Sequence, residues 1–210
     1  MGETLGWWGV PLAILGGAIR VGTPLLWVSL GETVTEKAGR INLGLEGTLL
    51  MGAMTAYAVA FSTSNPWLGV LAAAAVGIVF GLLHGALCSL ARVNDTAMGI
   101  ALMLAGSGLA FWLGKPLIQP SAPDLASIDL GGWSTLPAVE AALAINPLFV
   151  VGVLLAFAVY WAFGHTRVGL RLRVVGDSEN AARACGLSPS GYRIAATAFA
   201  GGQVHALESG

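Results

Sequence analysis

Asn42 and Glu46 stand four residues apart in the stretch ETVTEKAGRINLGLEGTLLMGAMTAY at 32–57, with Gly44 and Gly47 beside them. Within a helix that spacing puts two polar side chains on one face. A carboxylate at bilayer depth costs about 2.5–3.5 kcal/mol on insertion scales, so it is kept where it faces a protein interior or a water-filled path. The glycines are poor helix formers and suit a helix that starts or breaks within the membrane. Three roles fit the acid: lining a path for a polar solute, clamping Arg20 of the preceding apolar stretch, or carrying a proton.

The remaining reactive residues form no constellation. His84, His165 and His205 are scattered, and Cys88 lies in an apolar run while Cys185 lies in a polar one, so neither a metal site nor a disulfide is expected. There is no Gly-x-x-x-x-Gly-Lys-Ser/Thr loop for nucleotide hydrolysis and no nucleophile–base arrangement. A non-catalytic protein without a cofactor follows. No basic stripe interleaved with aromatics suggests nucleic acid.

The elements that position these residues are membrane spans. The chain is 56% hydrophobic and only 10% charged, against about 25% charged in soluble domains. No Lys or Arg precedes Arg20, so the first apolar segment reads as a permanent span rather than a cleavable signal. With about 20 apolar residues needed per crossing, spans are expected at 9–31, 41–61, 67–91, 96–114 and 147–164. Residues 115–146, with Pro116, Pro120, Pro123 and Pro137, read as an aqueous loop holding one short surface helix at 137–145. An apolar start from Ile194 to Val204 covers about 16 Å, half a bilayer core. The expected fold is all-α: a polytopic bundle of five full spans plus an incomplete sixth, forming one domain over 1–210 that lacks its C-terminal spans.

Alternation places Lys37, Arg40, Arg92, Arg167, Arg171, Arg173, Arg183 and Arg193 on one side and Lys115 alone on the other. The basic side is cytoplasmic by the positive-inside rule. Trp7, Trp8, Trp67, Trp112 and Trp161 fall near span ends, where tryptophan anchors at the interface. Within the cytoplasmic segment 165–193, Asp177 or Ser178 suits an N-cap, Ala181, Ala182 and Ala184 favour helix, and Gly186 with Pro189 suits its end. A helix of two turns does not hold in water alone, so it needs a surface, its own spans or a partner.

The block GETVTEKAGRINLGLEGTLLMGAM at 31–54 resembles permease subunits of ATP-driven (ABC) importers of the branched-chain amino acid, ribose and nucleoside group, closest to the nucleoside type. A second block, TRVGLRLRVVGDSENAARACGLSP at 166–189, resembles that family's cytoplasmic loop, and the likeness extends over 9–202. The resemblance implies a multi-pass subunit of the bacterial inner membrane that moves a small polar solute, a nucleoside or simple sugar. It places Asn42, Gly44, Glu46 and Gly47 along the pathway and Gly176, Asp177, Asn180, Ala181, Ala182 and Gly186 at the contact with the ATPase. The implied partners are a cytoplasmic ATP-binding subunit, a second, dissimilar permease and an extracytoplasmic solute-binding protein. A self-contained proton-coupled carrier is the alternative.

Overall fold

The structure, a computed structural model, describes residues 9–117, 128–129 and 144–204. Five helices are long and apolar enough to cross a membrane: α1 (Gly9–Lys37), α2 (Leu45–Thr63), α3 (Pro66–Leu87), α4 (Asp95–Gly114) and α5 (Pro147–His165). Asn65, Asn94 and Asn146 cap α3, α4 and α5, accepting from the backbone N–H of Trp67, Ala97 and Leu148, and Pro66 and Pro147 open their helices.

Three expectations need correction. First, α1 does not end at 31 but runs through Lys37, about 43 Å for its 29 residues. Glu32, Glu36 and Lys37 are helical because nothing breaks the helix before Gly39. That glycine takes φ +77°. Its N–H donates to Glu36 O (2.9 Å) and that of Arg40 to Thr35 O (3.0 Å), a Schellman closure. Second, the end of the helix expected at 137–145 is extended. Ala144–Ile145 pairs antiparallel with Ile128–Asp129, and the extended cap conformation of Asn146 directs the chain straight into α5; residues 137–143 lie outside the described residues. Third, segment 165–193 holds more than one short helix: α6 (Arg167–Asp177), α7 (Glu179–Ala184) and the head of α8 (Pro189–Val204). Thr166 caps α6 by accepting from Gly169 N–H at 3.2 Å, and Gly169 lets α6 fold against the Ala162 carbonyl at the end of α5.

Close backbone approach holds the bundle. α8 lies antiparallel to α3: added Cβ atoms at Gly81 and Gly85 would meet Thr197, and one at Gly201 would meet the Gly77 carbonyl. Gly47 leaves room for the Met103 backbone, and Gly99 and Gly106 of α4 leave room for Leu43 and Gly47. In a bilayer, where lipid competes for every apolar surface, small residues at such seams let dispersion contacts act at short range. Trp27 is buried with Val70 and Leu148, and its indole N–H donates to Leu148 O at 3.1 Å. Ala196 of α8 seals a second cluster with Val34, Ala38 and Val159.

Candidate functional site

The break between α1 and α2, residues 38–44, is where irregular backbone meets the bundle. Non-helical backbone there requires internal partners. Glu32 supplies one: its Oε1 accepts from Asn42 N–H at 3.1 Å, and its Oε2 accepts from the Thr35 hydroxyl at 2.9 Å. Asn42 supplies the next, its Oδ1 accepting from Gly44 N–H at 3.0 Å, and the Thr48 hydroxyl donates to Gly44 O at 2.7 Å. Arg40 pairs with Asp95 in the first turn of α4, its side chain only 10% exposed. The break is therefore tied to α1, α2 and α4 together.

Asn42 and Glu46 do not share a helix face. α2 begins at Leu45, so Asn42 stands in the break and is buried, whereas Glu46 is in the first helical turn and exposed. The helix N-terminus stabilises that acid. Arg20 is also exposed, and among the described residues neither Arg20 nor Glu46 enters an ion pair. The clamp is absent from this arrangement. Gly44 and Gly47 are buried against α4 rather than open beside Glu46. An apolar cavity of about 410 Å³ lies between α1, α5, α6 and α8, lined by Val34, Phe163, Leu172, Tyr192 and Phe199 among others. Its lining cannot satisfy a polar solute, and it lies apart from the break.

On the basic side, α7 is closed at both ends. Ser178, not Asp177, is its N-cap, accepting from Ala181 N–H at 3.3 Å, while Asp177 ends α6. Gly186, at φ +73°, forms the C′ turn: its N–H donates to Arg183 O and that of Leu187 to Ala182 O. Asn180, Ala181 and Ala184 are exposed, whereas Ala182 is fully buried. Ala182 is thus a seat of α7 on its own protein, because the helix needs an inward face to hold its position. Gly176 is likewise internal, packing on the Lys37 carbonyl and Gly39. Glu179 accepts from Arg183 (2.6 Å) and Arg193 (3.2 Å), and these two, Arg183 first, hold its carboxyl below the ordinary 4.5.

Sequence reading passed over Glu32 and Arg193. Glu32 falls just past the span expected at 9–31, and the Schellman closure at Gly39 brings it within reach of Asn42. Arg193 was counted as a topology signal, yet its Nε donates to Ala38 O at 3.2 Å. The four-residue spacing of Gly77, Gly81 and Gly85 was a readable signal for the α3–α8 seam. His84 is buried, its Nε2 3.7 Å from the Cys88 thiol and its Nδ1 without a hydrogen-bond partner among the described residues.

Known proteins match most of the chain. A putative glucose ABC transporter permease of Haloferax volcanii is 31% identical over 194 residues, covering 90% of this chain and 59% of the relative. A nucleoside ABC transporter permease of Lactococcus lactis is 27% identical over 202 residues, covering 90% and 63%. A guanosine ABC transporter permease of Bacillus subtilis is 27% identical over 178 residues, covering 79% and 56%. The chain therefore spans about 60% of the length of these relatives. No solved structure gives a significant match. The profile of one family matches residues 14–203, across the five apolar helices, the break and α7; this multi-pass membrane protein belongs to the branched-chain amino acid transport system / permease component family.

Proposed function

We propose that the chain is a membrane-spanning permease subunit of an ATP-driven importer, passing a small polar solute, a nucleoside or simple sugar. The relatives named for glucose, nucleosides and guanosine support that solute class. ATP binding and hydrolysis belong to a separate cytoplasmic subunit docked on α7, beside a second, dissimilar permease and an external solute-binding protein. The observation that carries the reading is α7 itself: a short helix closed at both ends, seated by buried Ala182, and presenting Asn180, Ala181 and Ala184 outward. A partner's groove takes hold of such an element because small side chains allow deep seating. Glu46, exposed beside a break held by the Glu32, Asn42 and Arg40 contacts, lines the solute path.

Reconstituted into vesicles with its co-purifying subunits, the protein is expected to take up solute on addition of ATP. Uptake by this chain alone, driven by a proton gradient, overturns the proposal in favour of a secondary carrier. Within the importer, Glu46→Ala should lower uptake by about tenfold and Glu46→Gln by less, with normal assembly in both, since a group realised in transport alone alters rate without altering folding. Full uptake by Glu46→Ala removes the acid from the path.

A further inference from the structure

Arg193, in the first turns of α8, has a side chain only 16% exposed and makes two separate attachments. Its Nη1 lies 3.2 Å from Glu179 Oε2, the first residue of α7, and its Nε donates to Ala38 O at 3.2 Å, where α1 turns into the break. Gly176 meets the same turn from α6, its missing Cβ leaving space for the Lys37 carbonyl and Gly39. Beyond Ala38 the backbone is fixed in sequence by Arg40 on Asp95, by Glu32 on Asn42 N–H, and by Asn42 on Gly44 N–H. The next turn carries Glu46.

We propose that Arg193 is a positioning residue that carries displacement of α7 to the break before α2; the proposal rests on the importer reading above. One planar guanidinium holds both acceptors, so their relative position is fixed as long as both bonds persist. Glu179 is held from one side by Arg183 of its own helix and from the other by Arg193. A shift of α7 imposed by a bound subunit therefore pulls on α8 and on the Ala38 turn that closes α1. The spans are locked by backbone seams, whereas the break adds separable polar contacts to its packing on Gly99 of α4. Two discrete arrangements of such contacts are what transmits a switch between sites.

The test uses the assembled transporter in vesicles, comparing wild type with Arg193→Met, Arg193→Lys and Glu179→Gln. Arg193→Met should keep the ATP-binding subunit at near wild-type yield while solute taken up per ATP hydrolysed falls by about tenfold or more, within the usual range of coupling. Arg193→Lys should be intermediate, because an ammonium keeps the attraction to Glu179 but not the two-point fork. Glu179→Gln alters an exposed group and should fold normally, lowering uptake per ATP in the same direction. A structural role alone would reduce the amount of complex while leaving uptake per ATP unchanged. Should Arg193→Met fail to assemble, Glu179→Gln decides. Wild-type uptake per ATP in Glu179→Gln, or in an assembled Arg193→Met, overturns the proposal. A wild-type preparation that neither retains an ATP-binding subunit nor responds to ATP overturns the importer reading and this proposal with it.

Discussion

The seams inside the bundle and the joint on its basic side differ in how much of their geometry rests on polar side-chain links. Between α3 and α8 and between α2 and α4, glycines bring backbone against backbone, at Gly77, Gly81, Gly85 and Gly201 and at Gly47 and Gly106. Around α6, α7 and the break, close packing at Gly99, Gly169 and Gly176 is joined by a set of polar links: Glu179 with Arg193, Arg193 with Ala38, Arg40 with Asp95, Glu32 with Asn42. A backbone seam offers no side chain to move aside, and close-packed interiors shift between discrete packings rather than deform continuously. Polar links can be exchanged one at a time. The difference divides the molecule into rigid levers and an adjustable joint.

The largest break in that comparison comes from filling a seam. Gly81→Val would drive a branched side chain into the Thr197 carbonyl, where no flexible side chain can yield. Overpacking typically costs 1–3 kcal/mol, and a clash with backbone should cost about 3 kcal/mol or more. Loss of the monodisperse peak on size-exclusion chromatography in detergent is the expected result. Wild-type thermal stability would show that the seam gives way.

Removing a link in the joint should cost less. Asp95→Ala leaves the Arg40 guanidinium, 10% exposed, without its carboxylate. Stranding one member of a fully buried pair costs about 3–5 kcal/mol, and with Asp95 at 23% exposure about 2 kcal/mol is expected here. The variant should assemble with a lowered melting temperature and reduced uptake. An unchanged melting temperature would mean that the pair does not hold the break.

The smallest effect is a pH dependence. Glu179 titrates below 4.5 because Arg183 and Arg193 favour its charged form. A depressed folded value stabilises the loop above the unfolded value and loses that contribution as pH falls through the folded one. A fluorophore on Cys185, with Cys88 replaced by Ala, should therefore report constant anisotropy from pH 8 down to 4.5. Mobility should rise only below that value. In Glu179→Gln the anisotropy should be low throughout; a transition above pH 5 in the parent would assign the link to another group.

The levers were more legible in the sequence than the joint. Apolar runs of bilayer length and the side of each Lys and Arg mark five spans, and Asn65–Pro66 and Asn146–Pro147 announce two helix starts. Charge misled at the joint. Glu32, Glu36 and Lys37 suggested a solvated turn, although only Gly39 can stop the helix. The arginines of 167–173 concealed α6, whose Leu172 and Val175 carry its inward side. The break itself could be read from Gly44, Gly47 and Glu46, but the facing of Asn42 could not, because the helix begins three residues beyond it. Small size at Ala181 and Ala182 was visible; which of the two is buried depends on how α7 seats on its neighbours.

That last distinction gives the most direct measurement of the central claim, that α7 docks an ATP-binding subunit through its outward face. In a chain with Cys88 and Cys185 replaced by Ser, Asn180→Cys and Ala184→Cys should each cross-link to the co-purified ATP-binding subunit with a short bifunctional maleimide. Ala182→Cys, buried in the protein's own packing, should not. Cross-linking from both exposed positions and silence at 182 is the predicted pattern. Absence of any cross-link from 180 and 184, in a complex that retains the ATP-binding subunit and ATP-driven uptake, would contradict it.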